Sequence, residues 1–579
     1  MTSKRIAILA SAAWLIACSG DIERPRGARN GAPGSTPWGV NGPGSFGPNG
    51  PGSGPNGAVP PGGSAMNPGA GAPGAPGAVK QPGATLRRLT LKQYQNSVRD
   101  LLGVEADVSK LSPLGPLNGL HAIAASALAM PEKDIEVFEG LADKLGAQVF
   151  SDTAARTKLV GCDAAQSACA EGFVASFGRR VFRRPLTDDE RTRYLALLRT
   201  ATQMTGDAWL ALRVITSALL QSPSFLYREE LGAPDPADPA RRILTPFELA
   251  SRLSFFVWNT TPDPVLLDAA EAGMLATDDG LRTQAERLLA SARAADAIDE
   301  LFTDYLQLDA LDDLVKLPEV YPDATPTLGL AMKTETLRTL RTVFFERKTD
   351  FRNVFTNTTT FVDAELAELY GVRAPAGTGF SEVTLPASGE RAGLLTQASF
   401  LATHAHPGRT SPTRRGKFIR ESMMCQSIPA PPPDVNTALP EMTASRTLRE
   451  KLEAHRADPA CAGCHTLMDP IGLALERFDG IGKFRQTDNG AQIDASGELD
   501  GTRFSDARGL GMALSQNANV TGCFTRTLLR YARGALEDPS ETPLIDALSG
   551  EFAAAQYRMS DLMLKISTQS AFRSMGALP

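Results

Sequence analysis

Between Gly27 and Gly83 the chain is built largely of glycine, proline, serine and asparagine, with GPGS and GPNG recurring, and this stretch divides everything else. It has almost no apolar side chains, so it cannot offset the conformational entropy that folding removes. Residues 19–85 are therefore expected to be a disordered tether. The foldable part begins at about residue 86 of 579, and with 42% apolar residues it can bury sizeable cores. That length exceeds a single core, so two or more domains are expected.

Ahead of the tether, residues 1–18 read as an address. Lys4 and Arg5 precede a short apolar run from Ile6 to Ile16, and Leu15-Ile16-Ala17-Cys18 follows the pattern of a bacterial lipoprotein cleavage site. Cleavage would leave Cys18 as the new N-terminus, its thiol carrying lipid. Several acyl chains, at about 0.8 kcal/mol per buried CH₂, make such anchoring stable. Ser19, where an Asp would retain the protein at the inner membrane, favours the outer membrane. An ordinary signal peptide with a chance cysteine is the alternative. The expected location is extracytoplasmic and lipid-anchored, at the periplasmic or cell-surface face. No later stretch reaches the roughly 18 unbroken apolar residues of a membrane span. A net charge of −6 argues against a nucleic-acid partner.

The remainder reads as mainly α, with several helical modules in tandem. Thr90 with Gln93, Thr187 with Glu190, and Thr245 with Glu248 have capping-box spacing, each ahead of an apolar helical face, and Pro246 suits a first helical position. Gly103 is a natural stop for the first of these helices. Strand signals are scarce: a short one at Phe361-Val362, and a hairpin within Gln492 to Phe504.

Chemistry concentrates at Cys461-Ala462-Gly463-Cys464-His465. C-x-x-C-H is the spacing at which two thiols add to the two vinyl groups of one haem while the adjacent histidine takes the iron. The expected cofactor is a single covalent haem c, with His465 as proximal ligand. Two rival readings use the same thiols. One is half of a zinc site completed by His404, His406 or Cys425, although a second close cysteine pair is absent. The other is a dithiol redox pair, although no strand-CxxC-helix pattern surrounds it. Of the seven cysteines, Cys18 is assigned to lipid and Cys461 and Cys464 to haem. The four left over suggest disulfides Cys162–Cys169 and Cys425–Cys523 in an oxidising compartment, with buried free thiols as the alternative.

A family resemblance follows from motifs taken in order. LRRLTLKQYQNSVRDLLG, FGRRVFRRPLTDDE with SPSFLYR, LTPFELASRLSFFVWNTTPD, RAGLLTQASFLATHAHPGRTSPTRRGKFIRESMMC with HRADPACAGCHTLMDPIGLALERFDGIGKFR, and CFTRTLLRYARGAL run through residues 86–575. Together they resemble exported multi-domain proteins of unknown function first noted in planctomycetes, which end in a cytochrome c-like module. The resemblance implies helical modules at 86–160, 170–232 and 243–375, a cytochrome c-like haem-bearing module at 388–486, and a closing helical module at 490–579. It supplies no biochemical role.

The sixth iron position has two candidates. His455 precedes Cys461 on a helix that Asp458-Pro459 ends. Met512 lies downstream at a spacing usual for a small cytochrome's distal methionine. Met468 is too close to His465 to ligate from the far side, and is expected to pack on the porphyrin. His404 and His406 are expected at the surface or in a loop beside the haem. Asp469-Pro470 reads as a cap and first helical residue. Arg414, Arg415 and Arg485 are candidates for the haem propionates, whereas Arg179, Arg180, Arg183 and Arg184 are expected on a solvated face or in salt bridges. Asp494, Glu498 and Asp500 offer oxygens for calcium without the full loop spacing, so a hairpin turn is expected there. Three function classes remain: electron transfer, to which the signature points first; haem peroxidase or oxidase chemistry on an extracellular substrate; and a surface binding or assembly protein with structural haem.

Overall fold

Three of the described helices open on a threonine capping box, and the reason is local. The computed structural model describes residues 81–429 and 447–577. In it Thr90, Thr187 and Thr245 each accept the backbone N–H three residues on, while Gln93, Glu190 and Glu248 accept the threonine's own N–H. Each box satisfies two of the donors that a helix start leaves unpaired. Helices Leu91–Leu102, Asp188–Thr205 and Pro246–Val257 follow from them. Gly103 (φ 73°) ends the first in the left-handed conformation that glycine adopts without a Cβ penalty. The expected signal sequence with Cys18, and residues 19–80 of the expected tether, lie outside the described residues. No helix among the described residues is long and apolar enough to cross a membrane.

The body is mainly helical, with short strand pairs, and two hydrophobic cores organise it. The first joins Tyr94, Val98 and Leu101 to the helices Glu132–Ser151, Ser167–Phe182 and Ala208–Leu220; the Tyr94 ring lies 5.1 Å from Phe138 and 5.6 Å from Phe225. In the second, Phe351 stacks on Phe344 and Phe524, and Phe302 stacks on the same two rings. Each such side chain contributes about 1.5–3 kcal/mol on burial. Most buried apolar residues of 86–160 and 170–232 thus share one core, and most of those in 243–375, 388–486 and 490–579 the other, with Leu120, Ala122 and Ile123 joining the second and Phe255 the first.

Strands act as stitches between distant parts of the chain. Thr85–Arg88 runs antiparallel to Tyr227–Glu230, and Ser574–Gly576 runs antiparallel to Asp238–Ile243. At the seam, Glu230 is fully buried. It meets Arg87 at 3.1 Å, Arg252 Nε at 3.0 Å and Arg228 at 3.5 Å, and Arg252 also donates to the Phe572 carbonyl at 2.7 Å. Thr359–Val362 pairs with Ser381–Thr384, where a strand was expected at Phe361-Val362. The stretch from Gln492 to Phe504 contributes to two small hairpins, Thr487–Asp488 with Ala491–Gln492, and Gly497–Leu499 with Thr502–Phe504. Asp500 and Gly501, both at positive φ, turn the second hairpin. Disulfides join Cys162 to Cys169 and Cys425 to Cys523; the second ties the 388–486 segment to helix Ala518–Arg533.

Candidate functional site

Asp458 carries the chain out of one helix and into the next. Helix Leu448–Arg456 stops, Asp458 accepts the Ala460 N–H at 2.9 Å, and Pro459 occupies the first position of helix Pro459–Leu473, where a missing N–H costs nothing. Cys461, Cys464 and His465 lie in the opening turns of this helix. Spacings of three and four residues place them side by side on one face. Both cysteines are free thiols. Cys461 is buried, while Cys464 is partly exposed and donates to the Pro429 carbonyl at 3.3 Å. A Cβ added at Gly463 would meet nothing within 4 Å, so the helix is open to solvent at that position.

His465 is held from below. Its Nδ1–H donates to Asp469 Oδ2 at 3.0 Å, one turn on, and Thr413 donates to Asp469 Oδ1 at 2.8 Å. The histidine's Nε2 makes no hydrogen bond among the described residues. His455 is buried, with its ring edge-on to that of His465 at a centroid distance of 4.7 Å. Burial and the neighbouring His465 hold the His455 pKa below its ordinary value.

Helix Pro412–Phe418 packs directly across the CxxCH helix because both contribute a glycine to the crossing. A Cβ at Gly416 would lie 1.9 Å from the Met468 carbonyl oxygen, and one at Gly472 would lie 1.9 Å from that of Pro412. This close approach brings Thr413 to Asp469. Asp469-Pro470 does not start a helix as expected, because helix Pro459–Leu473 runs through both. Pro470 is tolerated near the C-terminal end, and Asp469 is engaged with His465 and Thr413 instead of capping. The H-x-x-x-D spacing, one helical turn, was the signal for this pair.

The other expected site residues are placed as follows. Met512 is half-exposed on helix Ala507–Ser515, its sulfur against the Ser515 hydroxyl of its own helix; His455, not Met512, is brought to His465. Met468 is buried under Gly416 at the helix crossing. His404 is not at the surface: it is buried between Phe400 and Phe418, at 4.8 and 4.3 Å, and burial pushes its pKa down to about 3. His406 sits in a tight turn with Arg409. With Cys425 in a disulfide and His404 enclosed by aromatic rings, the zinc set considered from sequence does not assemble. Arg415 is fully buried on Glu476 at 3.1 Å, and Arg485 pairs with Glu476 and Asp488, so both are committed to the fold; Arg414 is exposed. Arg183 is buried at positive φ and donates to the carbonyls of Ser224 and Phe225, whereas Arg179 pairs with Asp268 and Glu271, Arg184 with Glu190, and Arg180 donates to the Asp100 carbonyl. Asp494 and Asp500 are taken by Arg449 and Arg420, and Glu498 by Arg503, rather than converging on one cation.

One grouping has no counterpart in the sequence reading. His121 donates through both its backbone N–H (2.8 Å) and its ring Nδ1 to Asp304, beside Glu300, in a cleft of about 530 Å³. Burial and the Asp304 charge raise the Glu300 pKa. Lys333 neutralises Asp309 and Asp312, and Arg341 neutralises Asp299 on the same wall. These residues come from distant segments, so no spacing announces them.

Five family models match consecutive parts of the chain. Each is described as a protein of unknown function: DUF1587 over residues 87–151, DUF1595 over 169–230, DUF1592 over 244–372, DUF1588 over 391–488 and DUF1585 over 500–572. The chain is a multi-domain protein of these five domains of unknown function. The DUF1588 domain contains the CxxCH helix, the Pro412–Phe418 helix and His455. No curated protein and no solved structure matches the chain.

Proposed function

We propose that the chain holds one covalent haem c through Cys461, Cys464 and His465 and acts as an electron carrier outside the cytoplasm, tethered to a membrane through Cys18. The observation that carries this reading is the CxxCH helix itself: two free thiols one turn apart, one buried and one partly exposed, followed by a histidine whose Nε2 makes no hydrogen bond among the described residues. A bound haem c supplies a reversible one-electron couple. The chain's own residues do the rest. The thiols would fix the cofactor to the helix, Asp469 sets the His465 tautomer, and His455, whose ring now rests against that of His465, is the nearest imidazole that could swing aside to serve as a second ligand. A second protein ligand favours electron transfer over peroxide or oxygen chemistry, which needs a vacant position. The two disulfides suit an oxidising compartment, in keeping with export.

The test is export in a host with cytochrome c maturation, followed by a haem stain of a denaturing gel. Wild type should carry a stained band, and a variant with both Cys461→Ala and Cys464→Ala should carry none. An unstained wild-type band overturns the haem assignment. Carbon monoxide binding by the untreated reduced protein would move the reading to peroxidase or oxidase chemistry, and a haem that does not cycle between oxidation states would move it to a structural role.

A further inference from the structure

A carboxylate removed from water is costly unless it is compensated. Asp469 has no solvent exposure and no lysine or arginine partner among the described residues. Its two oxygens are both used: Oδ2 accepts Nδ1–H of His465 at 3.0 Å, and Oδ1 accepts the Thr413 hydroxyl at 2.8 Å. Thr413 belongs to a different helix, held against the CxxCH helix at backbone contact by Gly416 and Gly472. The carboxylate therefore cannot swing away from the histidine. Many surface His/Asp pairs one turn apart are incidental; this one is enclosed and clamped from two helices.

A carboxylate that accepts a ligand imidazole's N–H pushes electron density into the ring and makes the other nitrogen a stronger donor. A stronger axial donor stabilises ferric over ferrous iron, and ligand identity and hydrogen bonding are the levers by which a protein sets haem potential. We propose that Asp469 is a positioning residue that both presents Nε2 of His465 to the iron and lowers the potential of the haem, placing this carrier at the low-potential end of whatever exchange it serves. The inference rests on the haem assignment above. One electron moves to or from the iron, and the proton stays on Nδ1 of His465.

Two variants of the haem-loaded, full-length protein test it by optical redox titration against mediators. Asp469→Asn keeps the shape and removes the charge; the potential should rise, with about a tenfold change in the ferric-to-ferrous ratio at fixed applied potential, equivalent to about 59 mV for one electron. Thr413→Val removes the hydroxyl that shares the Asp469 charge, so the carboxylate becomes a stronger acceptor for His465 and the potential should fall. Opposite signs are not what a merely structural residue would produce. If both variants keep a stained haem band and their potentials are unchanged or move together, the role of Asp469 is overturned while the haem assignment stands. If wild type carries no haem, both fall. If Asp469→Asn alone fails to load haem, the sign of the Thr413→Val shift decides.

Discussion

His455 owes its position to a two-residue break. Asp458 and Pro459 end one helix and start the next, so the chain folds back and sets two imidazoles, ten residues apart in sequence, edge to face at 4.7 Å. Under the proposed haem assignment, His455→Ala should turn the low-spin spectrum high-spin and bring on stoichiometric carbon monoxide binding in the reduced protein, read by absorption spectroscopy. Met512→Ala should change neither, because Met512 lies half-exposed on another helix. The reverse result would make Met512 the ligand. At this scale the sequence was informative where chemistry demands a fixed spacing. The capping threonines and the Asp458-Pro459 break are local, and each stands where its residues predict. Asp469 was misread because Asp-Pro is a common helix start, and local chemistry alone does not reveal that an upstream helix runs on through it. His404 was misplaced for a related reason: a histidine in a polar-looking stretch gives no sign that two phenylalanines enclose it.

The crossing of helices Pro412–Phe418 and Pro459–Leu473 depends on glycines in both. Gly416→Ala would drive a methyl group into the Met468 carbonyl oxygen, 1.9 Å from the new Cβ, which no side-chain rotation can relieve. Overpacking of this kind costs on the order of 3 kcal/mol, and here it must also part Thr413 from Asp469. The expected outcome is a lower melting temperature together with less haem attached during maturation, read by thermal denaturation and haem stain. Alanine at Gly463, which faces open space at a helical position, should be tolerated in both assays. An unaltered Gly416→Ala protein would show that the helices can separate without harm. The sequence marks such a crossing only as scattered glycines. Which partner each glycine faces depends on how the segments dock, and nothing in the local pattern encodes that.

Across the whole molecule, buried charge closes the body where the apolar cores leave a seam. Glu230 joins strand Tyr227–Glu230 to Arg87 near the start of the folded part and to Arg252, whose guanidinium also reaches the Phe572 carbonyl near the end. Burial alone would raise the Glu230 pKa; Arg252, Arg87 and Arg228 outweigh it and hold the carboxyl down at about 2. Because the folded value lies below the ordinary 4.5, the unfolded chain takes up the proton first as pH falls. The Glu230 contribution is therefore fully present above about 4.5 and is lost towards 2. Glu230→Gln should cost about 3–5 kcal/mol at neutral pH, since it strands buried guanidinium groups. It should also flatten the stability profile between those pH values, as measured by denaturant unfolding at a series of pH values; an unchanged slope would assign acid sensitivity elsewhere. Strand Ser574–Gly576 completes the same seam, and Gly576 N–H also donates to the Pro82 carbonyl at 2.7 Å. This sets an order on biosynthesis. Residues 574–576 leave the ribosome after every other element they join. The seam between the first and last parts of the body must wait for them. Cys461 and Cys464 emerge more than a hundred residues earlier, so under the proposed haem assignment an enzyme attaching the cofactor to those thiols would meet an open, unsealed chain and would have until the arrival of the final strand to finish its work.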